Sequence, residues 1–339
     1  MDIRNSKQVS KWREFLTSLA ALLLLAVPTR GDDSASWWKN YAANTKPVTL
    51  PDGKRLSLYC EGKGTPVVMM EAGLAAGGIT SWRKVQTAIG RVTKACAYDR
   101  AGIWNSTPTD GPRDAGAEAD DLAALLKAAK LPAPYVIVAH SYGGYITRLY
   151  AGRHTQDVAG LLLIDPSSPH QTDRFVQAFP AEAKLLDTQA SLLKDCSVDP
   201  RPADFIKKCQ RAVPDDIPPD MADRYSNSQT PAAARVMQRE AAAMPALSSQ
   251  LLDTEKKSLG AIPFVLLNQD PTMPFSGLTE DSVGAQRLWL QMHVETMDLS
   301  SESQLHVVPH AGHEIQIDRP DAVLTAVTDM VLKVRRTRK

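Results

Sequence analysis

The sequence predicts an α/β protein: a mostly parallel sheet covered by helices on both faces and interrupted by a helical insertion. Three observations lead there. Short apolar, β-branched runs alternate with amphipathic stretches from residue 47 onward, the rhythm of strand–helix repeats. One of those runs, Tyr135–Ala139, is apolar throughout, as a strand buried on both faces must be. Residues 167–260 hold no convincing strand, yet carry several helical stretches broken by prolines. A segment that long between two strands is better read as an inserted helical cap than as one loop.

Composition narrows the function classes. The 339 residues carry 39 Lys+Arg against 38 Asp+Glu, a formal net charge of +1, so no electrostatic field calls for nucleic acid or an acidic partner. With 43% hydrophobic and 23% charged residues, the chain can bury a sizeable core and is neither disordered nor fibrous. Aromatics are only 6%, which makes that core mainly aliphatic and alanine-rich. No internal repeat is evident, which sets aside solenoids and propellers.

The first 31 residues read as a leader. Arg4, Lys7, Lys11 and Arg13 precede an apolar run, Phe15–Val27, and Thr29-Arg30-Gly31 supplies small residues at an exit. That run falls short of the ~20 residues a membrane span needs. A basic start, a short apolar stretch and a small-residue exit describe a secretory signal peptide. The expected destination is secreted or periplasmic, or membrane-anchored if the leader stays uncleaved. The four cysteines, 60, 96, 196 and 209, suit an oxidising compartment; no CxxC occurs among them, and their spacing alone selects no pairing.

The elements follow in order. Strands are expected at Arg55–Cys60, Pro66–Met70, Lys94–Tyr98, Tyr135–Ala139, Leu161–Ile164, Ile262–Leu267 and Leu305–Val308. Helices are expected at Trp82–Ile89, at Ala117–Ala129 with Leu122, Leu125 and Leu126 on one face, after Ser141, and at Ala322–Val334. The division is therefore a leader (1–31), a first core part (32–166), a cap (167–260) and a second core part (261–339).

The chemistry concentrates in Val136-Ile137-Val138-Ala139-His140-Ser141-Tyr142-Gly143-Gly144. A buried strand runs into Ser141 and a helix starts at once, the sharp strand-to-helix turn that exposes a nucleophilic hydroxyl. Alanine replaces the usual first glycine of G-x-S-x-G. A serine hydroxyl needs a base within hydrogen-bond reach. Among seven histidines, His140 sits in the turn and should point away from Ser141, while His306 lies in a strand. His310 and His313 share the loop after the last strand, where a ring can swing over the serine. The carboxylate that orients the base is open between Asp165 and Asp270, each just past a strand and each followed by proline. Oxyanion donors are expected at the Tyr142 amide and, in the loop after Val67–Met70, at the Leu74 amide.

Together these residues resemble the α/β-hydrolase superfamily, most of all its bacterial esterase and proline iminopeptidase branch. The likeness runs from about residue 50 to 335 outside the cap. It rests on the turn at Ser141, Ala311-Gly312-His313, Glu71-Ala72-Gly73-Leu74, Ser81-Trp82, Tyr98-Asp99-Arg100-Ala101-Gly102 with Ser106, and Val158–Asp165. The resemblance implies an eight-stranded sheet, His313 rather than His310 as the base, and Asp165 rather than Asp270 as the acid. It also implies that Cys60 can reach Cys96 on neighbouring strands, with Cys196 and Cys209 as a local clip in the cap. Trp104 and Asn105 depart from the family's small-residue run. A serine nucleophile argues against haloalkane dehalogenase and epoxide hydrolase chemistry, where the superfamily uses aspartate.

The resulting expectation is a serine hydrolase acting on a small or medium apolar carboxylic ester through an acyl-enzyme. It needs no metal or organic cofactor and has a small molecule as its partner. An aminopeptidase or amidase would keep the triad and add an acidic cap patch, for which Glu182, Asp187, Asp195 and Asp204 are candidates. Carbon–carbon bond hydrolysis can use the same triad, and a non-catalytic ligand-binding member of the fold is the third class. Met221, Met237 and Met244 with Leu251 and Leu252 suggest an apolar cap lining, or simply helix core. Substrate and oligomeric state are not written in the sequence.

Overall fold

A computed structural model describes residues 32–74, 77–255, 258–275 and 281–337; the predicted leader lies outside them. Eight strands form one sheet: β1 (Lys46–Thr49), β2 (Arg55–Glu61), β3 (Val67–Glu71), β4 (Ala95–Tyr98), β5 (Tyr135–His140), β6 (Val158–Ile164), β7 (Phe264–Asn268) and β8 (Ser303–Val307). Their order is β1-β2-β4-β3-β5-β6-β7-β8. The first two strands pair antiparallel, as does β2 with β4, and every later pairing is parallel. The fold is that of the α/β hydrolases, as the resemblance implied.

Strands β3, β5 and β6 are buried along their whole length, and the period of two divides their side chains between two cores. Ile137, Leu161 and Leu163 face one side with Leu122, Leu125 and Leu126 of α3 (Ala115–Ala128) and Ile146 and Leu149 of α4 (Gly143–Arg153). Val136, Val138, Leu162 and Ile164 face the other. There they meet Ile89 of α2 (Gln86–Val92) and Val323, Val327 and Val331 of the C-terminal helix (Pro320–Thr337). The helix expected over Trp82–Ile89 is in fact two pieces, a 3₁₀ turn at Gly78–Trp82 and then α2.

Three elements went unread. Helix α1 (Asp32–Asn44) buries Trp37, Trp38 and Tyr41 almost completely, with Trp37 and Tyr41 each edge-on to Tyr59 of β2. Strand β1 is short and exposed at the sheet edge, so its residues carry little apolar signal. Helix α11 (Ser282–Thr296) has mixed polarity because polar residues at its buried positions hydrogen-bond to the core.

Between β6 and β7 lie α5 (Gln171–Ala178), α6 (Pro180–Cys196), α7 (Ala203–Lys208), α8 (Pro219–Ser226), α9 (Pro231–Ala243) and α10 (Ser249–Thr254), with no strand among the described residues. Ion pairs tie this segment to the core: Arg83 Nε reaches Asp216 at 2.7 Å, and Arg100 Nη2 reaches Glu240 of α9 at 3.0 Å. Met221, Met237 and Met244 are packing residues, each against a different apolar cluster. Cys60 and Cys96 lie opposite each other on β2 and β4 and are joined by a disulfide. A second disulfide joins Cys196 to Cys209. Among the described residues no helix is long and apolar enough to cross a membrane.

Candidate active site

Strand β5 delivers Ser141 to the carboxyl end of the sheet. Its φ of +50° is a left-handed backbone held by a non-glycine residue, the conformation such a turn demands and a local source of strain. The surroundings sustain it. The Ser141 N–H donates to Ile164 O at 3.1 Å, and its carbonyl accepts from Gly144 N at 2.9 Å and Ser167 N at 3.0 Å. Glycine is required at 143, because a Cβ there would lie 2.8 Å from the carbonyl oxygens of both Glu71 and Ala72.

His313 and Asp165 complete a continuous chain. His313 Nε2 stands 3.0 Å from Ser141 Oγ, and His313 Nδ1 stands 2.7 Å from Asp165 Oδ2. Asp165 is fully buried, and its other oxygen accepts from the Gln269 N–H and the Trp289 indole N–H, each at 3.0 Å. Burial would raise the Asp165 pKa, but the hydrogen bond and charge of His313, with His293 and the Gln269 N–H, lower it below the usual aspartate value. For His313 burial works downward, and the hydrogen bond and charge of Asp165, with Glu314, outweigh it and raise the imidazole pKa. The pair thus favours a carboxylate that stabilises an imidazolium.

The other candidates fall elsewhere. Asp270 accepts from the His310 N–H at 2.8 Å and from the Thr272 N–H and hydroxyl at 2.9 and 2.7 Å, so it shapes the turn that carries His313. His310 is exposed and has a left-handed backbone, and His306 is exposed on β8. His140 is closer to the site than expected. Its ring lies 4.7 Å from that of His313, and its Nε2–H donates to the His313 carbonyl at 3.0 Å. Burial, then the neighbouring His313, push its pKa down to about 4, so it is a neutral donor that holds the His313 backbone.

Tyr142 follows Ser141 in the chain, and Gly73, the residue before Leu74, packs against the same turn: a Cβ on it would lie 3.1 Å from Ser141 Cβ. The loop that carries Leu74 is braced by a residue to which the sequence reading assigned no role. Arg100, 4% exposed, places all five of its donors. Nη1 bonds Ala72 O and Glu71 Oε1, both at 2.8 Å; Nη2 bonds Gly73 O at 2.9 Å and Glu240 Oε2 at 3.0 Å; Nε bonds Glu240 Oε1 at 3.0 Å. Gly73 O and Leu74 N belong to one planar peptide, so Arg100 sets the direction of the Leu74 N–H. Tyr98 donates to Glu71, and Asp99 accepts from the Ile79 N–H at 2.8 Å. The stretch 98–106 is thus the underside of this loop.

Trp289 and His293 of α11 were also unassigned. Besides Trp289's bond to Asp165, His293 engages Pro166 O at 2.8 Å and Asn268 Oδ1 at 2.6 Å, so both pin the strand-end loop that presents Asp165. A motif could not have revealed them, because α11 meets that loop only after folding. Among the described residues no cluster of three or more His, Cys, Asp or Glu side chains is placed to hold a metal.

Comparison with known proteins bears on the fold and the family. An uncharacterized protein of Bacillus subtilis (strain 168), YqjL, is 26% identical over 270 residues, which cover 80% of this chain and 85% of that one. A candidate lipase (Lip1) of Acinetobacter baumannii AYE superposes with a TM-score of 0.66 at 18% identity, covering 92% of this chain and 98% of its own. The haloalkane dehalogenase DatA of Agrobacterium tumefaciens C58 superposes at 0.59 and 15% identity, covering 87% and 99%. At such identities the likeness is one of fold alone, and it spans more than one hydrolytic chemistry. Residues 72–326 match the model of the alpha/beta hydrolase family, and the chain belongs to that family.

Proposed function

We propose that this hydrolase cleaves carboxylic esters of small or medium apolar substrates through a serine acyl-enzyme. One observation carries the reading: the unbroken chain Ser141 Oγ···His313 Nε2, His313 Nδ1···Asp165 Oδ2, at 3.0 and 2.7 Å. Ser141 Oγ attacks the ester carbonyl while His313 Nε2 takes its proton, and Asp165 stabilises the imidazolium. The Leu74 and Tyr142 amides hold the developing oxyanion, an interaction worth roughly 3–4 kcal/mol per donor in comparable sites. The imidazolium then protonates the leaving alkoxide. Water, deprotonated by the same nitrogen, attacks the acyl-serine and releases the acid.

Support for an ester over an amide comes from the cap. Asp187 and Asp204, two of the carboxylates that would hold a substrate amine, are exposed on its surface. Residues 167–260 act in this reading as the substrate-selecting cap. Export through the leader at 1–31 accords with the two disulfides.

The test is a fluorophosphonate probe on the mature protein beside Ser141→Ala, followed by short-chain p-nitrophenyl esters and the matching anilides. Labelling and ester turnover that disappear in the variant are expected. A folded wild type that neither labels nor turns over any ester would overturn the proposal, and turnover of anilides alone would reassign the bond.

A further inference from the structure

Behind the loop that presents Asp165 lies a cavity of about 230 Å³, between α4, the 166–170 loop, α10 and α11. Two polar groups that line it have no partner. Arg148, in the middle of α4, lines it and has its Nε sealed from solvent without an acceptor. Ser168, 3% exposed, has a buried hydroxyl equally without a partner. Buried polar groups are nearly always satisfied, so two orphans on one cavity wall point to something that enters it.

The neighbouring charges do not meet the need. Arg174 is closed on Glu295 through two bonds of 2.7 and 3.0 Å. Asp253, whose field reaches Arg148, is engaged by His170 Nε2 at 2.6 Å. Burial, partly offset by Tyr145 and Asp253, depresses the Arg148 pKa to about 10, which leaves it a cation at neutral pH.

We propose that this cavity is a binding site for a short-chain aliphatic monocarboxylate, with Arg148 and Ser168 as its anchors. A guanidinium matches the two oxygens of a carboxylate in a bidentate fork, and the Ser168 hydroxyl supplies one more donor. Pro169, Leu252, Met292 and Leu299 make the remaining wall apolar, which suits an alkyl tail. Asp253 and Glu295 on the same cavity repel a dianion such as phosphate. The volume equals that of roughly eight liquid waters, room for a carboxylate with a few carbons. The proposal is independent of the role of Ser141.

The experiment is isothermal titration of the mature protein with butyrate at pH 7 and fixed ionic strength, with butyramide as the neutral isostere. Millimolar binding of butyrate and none of butyramide is expected. R148M should weaken butyrate at least tenfold, S168A severalfold, and Asp253→Asn should tighten it by removing the competing charge. Equal binding of butyramide would refute recognition of the anion. Butyrate binding that R148M leaves unchanged would place the ligand elsewhere, and an absence of binding would show that water alone satisfies Arg148. Should R148M fail to fold, Asp253→Asn still decides, since unchanged or weaker binding there overturns the site.

Discussion

Replacing Arg100 by lysine separates the brace under the Gly73–Leu74 peptide, the proposed oxyanion loop, from simple core packing. The guanidinium fills five hydrogen bonds, two of them to the Ala72 and Gly73 carbonyls and three to Glu71 and Glu240. A lysine ammonium keeps the charge but offers three donors, so at least two buried acceptors lose their partner. At about 1–3 kcal/mol for each unsatisfied buried acceptor, the variant should lose about 2–6 kcal/mol of stability. Activity distinguishes the roles. If the Gly73–Leu74 peptide rotates when its carbonyl is released, one oxyanion donor is misaimed, and kcat should fall by up to about 10²–10³-fold with KM nearly constant. Urea unfolding and steady-state kinetics on a p-nitrophenyl ester read the two effects separately. Glu240→Gln is the companion variant: it disturbs the same cluster from α9 but leaves Arg100 its bonds to Ala72 and Gly73, so it should cost stability with little change in kcat. The reasoning is refuted if R100K loses stability and keeps kcat within twofold of wild type.

Asp165→Asn should lower kcat by about 10⁴-fold through loss of the correct imidazole tautomer, whereas Asp270→Asn should change it less than tenfold; the two rates measured side by side decide which carboxylate serves His313. The proposed mechanism needs a neutral His313 as base, and Asp165 holds its pKa above the ordinary 6.5. kcat/KM should therefore fall as pH drops through an apparent pKa above 6.5 and should recover above it. Asp165→Asn should move that inflection to lower pH. By the loop-entropy estimate, opening the Cys60–Cys96 bridge, which spans 36 residues, should cost about 4 kcal/mol. Opening Cys196–Cys209, which spans 13, should cost about 3 kcal/mol. Denaturation of the two paired Cys→Ser variants checks both values.

Much of the architecture was legible from local signals. The all-apolar run Tyr135–Ala139 in β5 was legible as a strand buried on both faces, because no polar side chain survives there without a partner. The strand–serine–helix turn was legible because its backbone geometry restricts the residues that can stand beside Ser141. The edge was not: β1 is too short and exposed to show a pattern, and α1 hides its buried Trp37, Trp38 and Tyr41 directly behind the predicted leader.

The sequence by itself set out the central strands, the strand–serine–helix turn at Ser141 and the loop that holds His310 and His313, since each depends on contacts between chain neighbours or on a regular period. It left two strand-end aspartates equivalent to local reading and assigned no role to Arg100, Trp289, His293 or Arg148. Those were decided by the tertiary structure alone. Trp289 lies 124 residues from Asp165, and Glu240 lies 140 from Arg100. A hydrogen bond across such a separation exists only once the sheet has folded and the helical insertion has closed over it.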